Sequence, residues 1–183
     1  MAVDPDKMYD LRGSITGSYV LFKADCIVNS ANNTLLNGKG LDGELYRTMG
    51  PAFRNVCKEL NGCETGKAKI STAPNLKCDY IIHTVAPTWI DGEHGEKELL
   101  ESCYKEILKL TAENNIKRIA FPALATGYCH FPPDVAADIG VGTLERYMEE
   151  HPDALSLVQW VMCDSDTSWA FHTALTRRYP QNL

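Results

Sequence analysis

Three loops of this chain concentrate residues that bind or polarise small molecules, and each follows a short apolar run of strand character. The first runs Asp25-Cys26-Ile27-Val28-Asn29-Ser30-Ala31-Asn32-Asn33 and continues as Asn37-Gly38-Lys39-Gly40-Leu41-Asp42-Gly43. Its glycines allow a close approach of the backbone to a diphosphate, with N–H groups turned inward. Asp42 sets a carboxylate beside them at the start of a helix. On residue type alone it reads more plainly as a first-turn Asp favoured by the helix macrodipole than as a reactive group.

The second loop, Phe121-Pro122-Ala123-Leu124-Ala125-Thr126-Gly127-Tyr128-Cys129-His130-Phe131-Pro132, leads from a strand to a helix opened by prolines. It reads equally as an anion cradle and as a well-packed turn. The third, Val85-Ala86-Pro87-Thr88-Trp89, reads as core edge and turn rather than ligand contact.

Other patterns do not carry the chemistry they suggest. Gly38, Gly40 and Gly43 match G-x-G-x-x-G, but eight residues separate Asn29 from Gly38. A dinucleotide-binding turn starts at the strand end, so that reading is rejected. Gly62-Cys63-Glu64-Thr65-Gly66-Lys67-Ala68 is one residue short of a P-loop and has Ala where Ser or Thr should hold magnesium. The histidines at 83, 94, 130, 151 and 172 lack metal-ligand spacing, so no metal is expected. His83 falls inside a strand and reads as a hydrogen-bonded core histidine.

The elements that position these loops alternate. Residues 26–29, 80–85, 118–122 and 157–162 read as buried strands, apolar enough for a sheet covered on both faces. Helices are expected at 42–60, with a break near Gly50-Pro51, at 96–113 and at 133–149. A last helix, capped by Asp166 or Thr167, carries Ala170, Phe171, Ala174 and Leu175 inward. The expected fold class is α/β, a three-layer α/β/α sandwich with a central mixed sheet. One domain is expected to cover residues 1–183.

A net charge of −6 argues against unspecific nucleic-acid binding, which needs a surplus of Lys and Arg on one face. Seven scattered cysteines without a CxxC pair read as reduced thiols of a cytoplasmic protein. The opening residues Met-Ala-Val-Asp-Pro-Asp-Lys lack the apolar stretch of a signal peptide, so no leader is expected, and no apolar run approaches the length of a membrane span.

The order of motifs resembles the macrodomain family. Residues 25–32 resemble its D-x-I-V-N-A-A-N signature, and residues 35–43 resemble the L-L-G-G-G-G-V-D-G loop of the MacroD-type branch. Blocks at 63–68, 80–87 and 119–127 follow in the family's order, and the similarity spans about residues 8–178. The resemblance implies an ADP-ribose site without metal or cofactor, whose partners are ADP-ribose or ADP-ribosylated proteins. The implied activity is hydrolysis of mono-ADP-ribose from acidic side chains, or deacetylation of O-acetyl-ADP-ribose. A carboxylate and a substrate phosphate oxygen would orient one water and deprotonate it. The alternative is a non-catalytic reader of ADP-ribose or a related nucleotide; RNA or poly(ADP-ribose) binding ranks third.

Carried over by residue, Asp42 takes the catalytic acidic position and Asn32 hydrogen-bonds the distal ribose. Gly38, Lys39, Gly40, Leu41 and Gly43 clasp the diphosphate from one side. Ala125, Thr126, Gly127, Tyr128, Cys129, His130 and Phe131 clasp it from the other. Ser14, Ala24, Asp25, Cys26, Asn29, Tyr46 and Cys163 complete the implied contacts. Several positions depart from the family pattern. Ser14, or Ser18 in another alignment, replaces an Asp on the adenine amino group, and Cys163 replaces an aromatic that stacks on adenine. Lys39 interrupts the glycine loop, Tyr46 replaces a His, and Cys129-His130-Phe131 replaces Tyr-Gly-Tyr or Tyr-Gly-Phe.

Overall fold

The structure, a computed structural model, describes residues 5–180. Residues 1–4, where the sequence reads as lacking a leader, lie outside it, as do residues 181–183 and the side chains of Pro5, Ser18 and Tyr19. A turn of 3-10 helix leads into β1 (Met8–Arg12), followed by α1 (Ser18–Lys23), β2 (Cys26–Ser30), α2 (Gly40–Met49) and α3 (Pro51–Glu59). Then come β3 (Ala68–Thr72), β4 (Tyr80–Thr84), α4 (Glu96–Glu113), β5 (Arg118–Pro122), α5 (Pro133–Glu150), β6 (Leu157–Met162) and α6 (Ser165–Arg178).

The six strands form one sheet in the order β1-β6-β5-β2-β4-β3. Five run parallel, and β3 lies antiparallel to β4 at the edge, so the sheet is mixed. Successive side chains point to opposite faces of a strand. Cys26 and Val28 of β2 therefore join the core under α4, α5 and α6, while Ile27 joins the core under α1, α2 and α3. In the same way β5 sends Ile119 and Phe121 one way and Ala120 the other. Both faces are covered, which is why the central strands read as unbroken apolar runs.

Helix boundaries follow local chemistry. Gly50, at a left-handed φ of 67°, and Pro51 at the first position of α3 divide the expected 42–60 helix in two. In α4, Lys105 pairs with Glu101 one turn back at 3.0 Å. The cap of α6 is Asp164, not Asp166 or Thr167: its carboxylate accepts from the Thr167 N–H at 2.9 Å and from Thr167 Oγ1 at 2.6 Å.

Strands β1 and β3 were not expected. Each lies at an edge and buries little, with Met8 the buried residue of β1 and Ser71 that of β3. The short α1 leaves no helical period to read. All five parallel strands end at one rim of the sheet, where open α/β folds place their ligands.

Candidate functional site

A cleft of about 870 Å3 opens at that rim. The parallel strands contribute their ends and the segments that follow: Gly13, Ser14 and Ile15 after β1; Ser30 at the end of β2, then Ala31, Asn32 and Asn33; Val85, Ala86 and Thr88 after β4. Pro122 lines it at the end of β5, and the segment after that strand supplies Ala123, Ala125, Thr126, Gly127, Tyr128 and Cys129. The end of β6 and start of α6 add Val161, Met162, Cys163, Asp164 and Thr167. Asn37, Gly38, Lys39, Gly40, Leu41, Asp42 and Glu44 form the remaining wall, at the entrance to α2.

Asp42 occupies the third position of α2 and is 1% exposed. Its Oδ1 accepts from Asn29 Nδ2 at 2.6 Å, while Oδ2 makes no hydrogen bond of sound geometry among the described residues. Burial pushes the carboxyl above its ordinary value, against the Asn29 donor and the nearby Gly38 amide, which favour the charged form. Gly38 is a glycine of necessity, because a Cβ there would overlap the Asp42 carboxylate. Lys39 caps α2 with its backbone only, so among the described residues no capping side chain takes up the first N–H groups of the helix. The arrangement joins a buried base with a free lone pair to a row of helix N-terminal donors.

The loops on either side are tightly wound. Leu35, Asn37 and Gly40 have left-handed φ angles of 58°, 55° and 58°, and Ala125 and His130 take 68° and 58°. A buried leucine and an alanine in that region are uncommon and are held there by their surroundings. Tyr46 braces the first loop through its hydroxyl, which donates to Leu35 O at 2.7 Å. The second loop is tied to the third by Trp89 N–H donating to Cys129 O at 2.7 Å. Across the cleft, the Tyr128 ring comes within 3.5 Å of the space a Cβ on Gly40 would take, so the two loops face each other.

The profile of the Macro domain family matches residues 28–140. This chain belongs to the macrodomain family. A Macro domain-containing protein of Methanosarcina mazei is 49% identical over 144 residues, covering 78% of this chain and 77% of that protein. The mouse ADP-ribose glycohydrolase MACROD2 is 41% identical over 165 residues, 88% of this chain but 34% of the larger mouse protein. Among solved structures, a mutant Oceanobacillus iheyensis macrodomain with ADPR superimposes at a TM-score of 0.87, with 28% identity and 98% of both chains covered. A Trypanosoma brucei macrodomain in complex with ADP gives 0.85 and 29%, covering 94% of this chain and 71% of that one.

The macrodomain cleft gathers most of the expected site residues but not all. Asp42, Asn32, Ser14, Cys163, residues 38–41 and residues 125–129 line it. Ala24, Asp25 and Cys26 do not. The family signature runs through a whole strand, and at roughly 3.3 Å per residue its start lies about 16 Å from the rim. Asp25 works at that far end. Burial opposes its charge, but Arg118, whose Nε donates to Oδ1 at 2.9 Å, and the backbone N–H groups of Lys117 and Arg118 hold it below its ordinary value.

Asn29, Gly43 and Tyr46 stand behind the wall. Asn29 reaches Asp42 from the strand, Gly43 lets α2 approach Gly38 O, and Tyr46 packs edge-on against Phe53 at 4.9 Å. His130 and Phe131 lie outside it too, their N–H groups already donating to Gly127 O and Ala125 O at 3.0 Å each. Phe131 is core, edge-on to Trp89. Val85, Ala86 and Thr88, expected as turn and core edge, are wall residues.

Asn32 lines the cleft, yet its amide serves its own loop: Nδ2 donates to Leu36 O at 3.0 Å, and Oδ1 accepts from Thr34 N–H and Oγ1. Glu44 was missed. Its Oε1 accepts from Ser14 Oγ at 2.8 Å and from Thr16 Oγ1, across some thirty residues of chain, so no local spacing signals it. Asp91, His94 and Glu96 bring ligand-type atoms within 4.8 Å of one another outside this cleft. The Glu96 carboxylate there already accepts from the N–H groups of Ile90, Asp91, Gly92 and His94, closing the turn before α4.

Proposed function

We propose that this macrodomain binds ADP-ribose in the rim cleft and hydrolyses the bond joining it to acidic protein side chains or, as O-acetyl-ADP-ribose, to acetate. The observation that carries the reading is the Asp42 carboxylate: buried, held at one oxygen by Asn29 and unpaired at the other among the described residues, next to a helix N-terminus without a side-chain cap. The sequence identity to MACROD2 supports the same activity class.

The diphosphate would sit against the N–H groups that open α2 and against residues 125–128, where dipoles meet its charge without a formal cation. Its position places the scissile bond near Asp42. The Asp42 carboxylate takes a proton from one water, aided by a phosphate oxygen of the substrate. The oxygen of that water bonds to the anomeric carbon or the ester carbonyl. The bond to the leaving group breaks, and the displaced oxygen takes the electron pair. Orientation of one water and preorganised amides are the main sources of acceleration. We also read the whole chain as one domain and its setting as cytoplasmic; its seven cysteines carry free thiols, which supports a reducing compartment.

A second reading, binding without turnover, is favoured by Asn32, whose amide is engaged within its own loop. Calorimetry with ADP-ribose, followed by release assays on a mono-ADP-ribosylated protein with wild type and Asp42→Ala, separates them. Binding with Asp42-dependent release supports hydrolysis. Binding without release establishes the reader, and no binding withdraws both.

A further inference from the structure

A line of buried hydrogen bonds runs from the floor of the cleft through the sheet to its edge. Asn29 on β2 and His83 on β4 are paired in register and both are fully buried. Asn29 Nδ2 lies 2.6 Å from Asp42 Oδ1 and 3.2 Å from His83 Nδ1. On the far side of the ring, His83 Nε2 lies 2.9 Å from Ser71 Oγ on β3.

The direction of each bond can be fixed from its ends. Ser71 Oγ donates its hydrogen to Thr72 O at 2.9 Å, so it receives one from the ring, and Nε2 is the protonated nitrogen. Nδ1 then carries a lone pair and accepts from Asn29. A side-chain amide has two hydrogens on one nitrogen; here one faces the ring and the other faces Asp42. Turning the amide over would set its oxygen against the Nδ1 lone pair and the Asp42 carboxylate together. The present orientation leaves Asn29 Oδ1 buried without a partner among the described residues. It is therefore held by the groups at the nitrogen end alone.

We infer that His83 is a positioning residue for Asp42, acting through the side-chain amide of Asn29. The ring selects which end of the amide faces the carboxylate, and thereby which Asp42 oxygen is held and which is left unpaired. Ser71 selects the ring tautomer. Phe53 stacks on the ring at 5.7 Å and keeps water from it, and burial keeps the imidazole neutral by pushing its pKa down to about 4. The inference rests on Asp42 being the reactive carboxylate, but the bond directions can be read without any turnover.

The first measurement is the 15N spectrum of the His83 ring in the wild-type protein near neutral pH. A protonated Nε2 and a bare Nδ1 are expected, and a protonated Nδ1 overturns the inference. The second is hydrolysis kinetics. His83→Phe preserves the stacking on Phe53 and removes the acceptor, so kcat should fall roughly tenfold, the upper scale of one lost hydrogen bond between neutral groups, with KM nearly constant. His83→Asn, whose Oδ1 can stand in for Nδ1, should recover much of that loss. An unchanged kcat in His83→Phe, or no recovery in His83→Asn, overturns the inference.

Should His83→Phe fail to fold, Ser71→Ala frees the tautomer with the ring in place, and kcat must fall there in the same sense or the inference is overturned. A wild type that binds ADP-ribose without turnover removes the hydrolase reading by itself. The ring spectrum, with the side-chain NH2 resonances of Asn29 in Ser71→Ala, then decides positioning: they must shift from their wild-type values.

Discussion

The carboxylate of Asp42 fills the space in which a side chain on Gly38 would begin. The glycine of the loop and the acid of the helix are thus one device, since the acid can be buried only where the loop has no side chain. Gly38→Ala should displace Asp42 and lower the rate of ADP-ribose release roughly hundredfold, the effect of a misplacement of about 1 Å. Stability should fall by about 1–3 kcal/mol from overpacking. Release assays and urea unfolding measure both, and full activity in this variant would mean that the loop yields freely.

Asp42 should oppose stability at neutral pH. Its folded-state pKa lies above the ordinary value of 3.8, so the native state holds the proton more tightly than the unfolded chain. Stability therefore declines as the pH rises from 3.8 through the folded value. Asp42→Asn removes the charge, and we expect it to raise stability near pH 7 by about 1 kcal/mol while abolishing turnover. The gain should vanish below pH 3.8. Melting curves of both proteins across this range test the sign.

Asp25 should matter to the fold and not to the ligand. Asp25→Ala removes the anchor of Arg118 and of two backbone N–H groups at the closed end of the sheet. A stability loss of about 1–2 kcal/mol is expected at neutral pH, with ADP-ribose affinity unchanged. The native state holds this carboxyl below its ordinary value, so the stabilisation is lost as the pH falls through the folded value. A weakened affinity at constant stability would place Asp25 back in the site.

Glu44 should tune binding rather than chemistry. It collects the hydroxyls of Ser14 and Thr16 and so fixes the segment after β1 against α2. Glu44→Ala should raise KM about fivefold, the scale of one net hydrogen bond, and leave kcat near wild type. A drop in kcat at constant KM would instead tie Glu44 to the reaction.

The layers of the fold were legible because the central strands are covered on both faces, which leaves apolar runs at 80–85, 118–122 and 157–162. Edge strands gave no such run, since Tyr9, Asp10 and Leu11 of β1 are only half-buried. Motif order led to the glycine loop, Asp42 and residues 125–129. It misassigned Ala24, Asp25 and Cys26, because a signature in one dimension joins two ends of a strand that emerge on opposite sides. It also assigned His130 and Phe131 to a diphosphate although their N–H groups close their own turn. Glu44 and the wall after β4 come from packing between distant segments, which leaves no local pattern.

The strand order has a consequence for how the chain is made. Among the described residues β1 is paired in the sheet with β6 alone, and Met8 meets Val158 across 150 positions. A chain emerging from the ribosome therefore keeps its first strand unpartnered until nearly all the others exist, and closing so long a loop is slow. Ser14 and Cys163, which follow the two strands of that final pairing, both line the cleft. An incomplete chain has no finished cleft, so until β1 docks it must rely on its hydrophobic layers for stability.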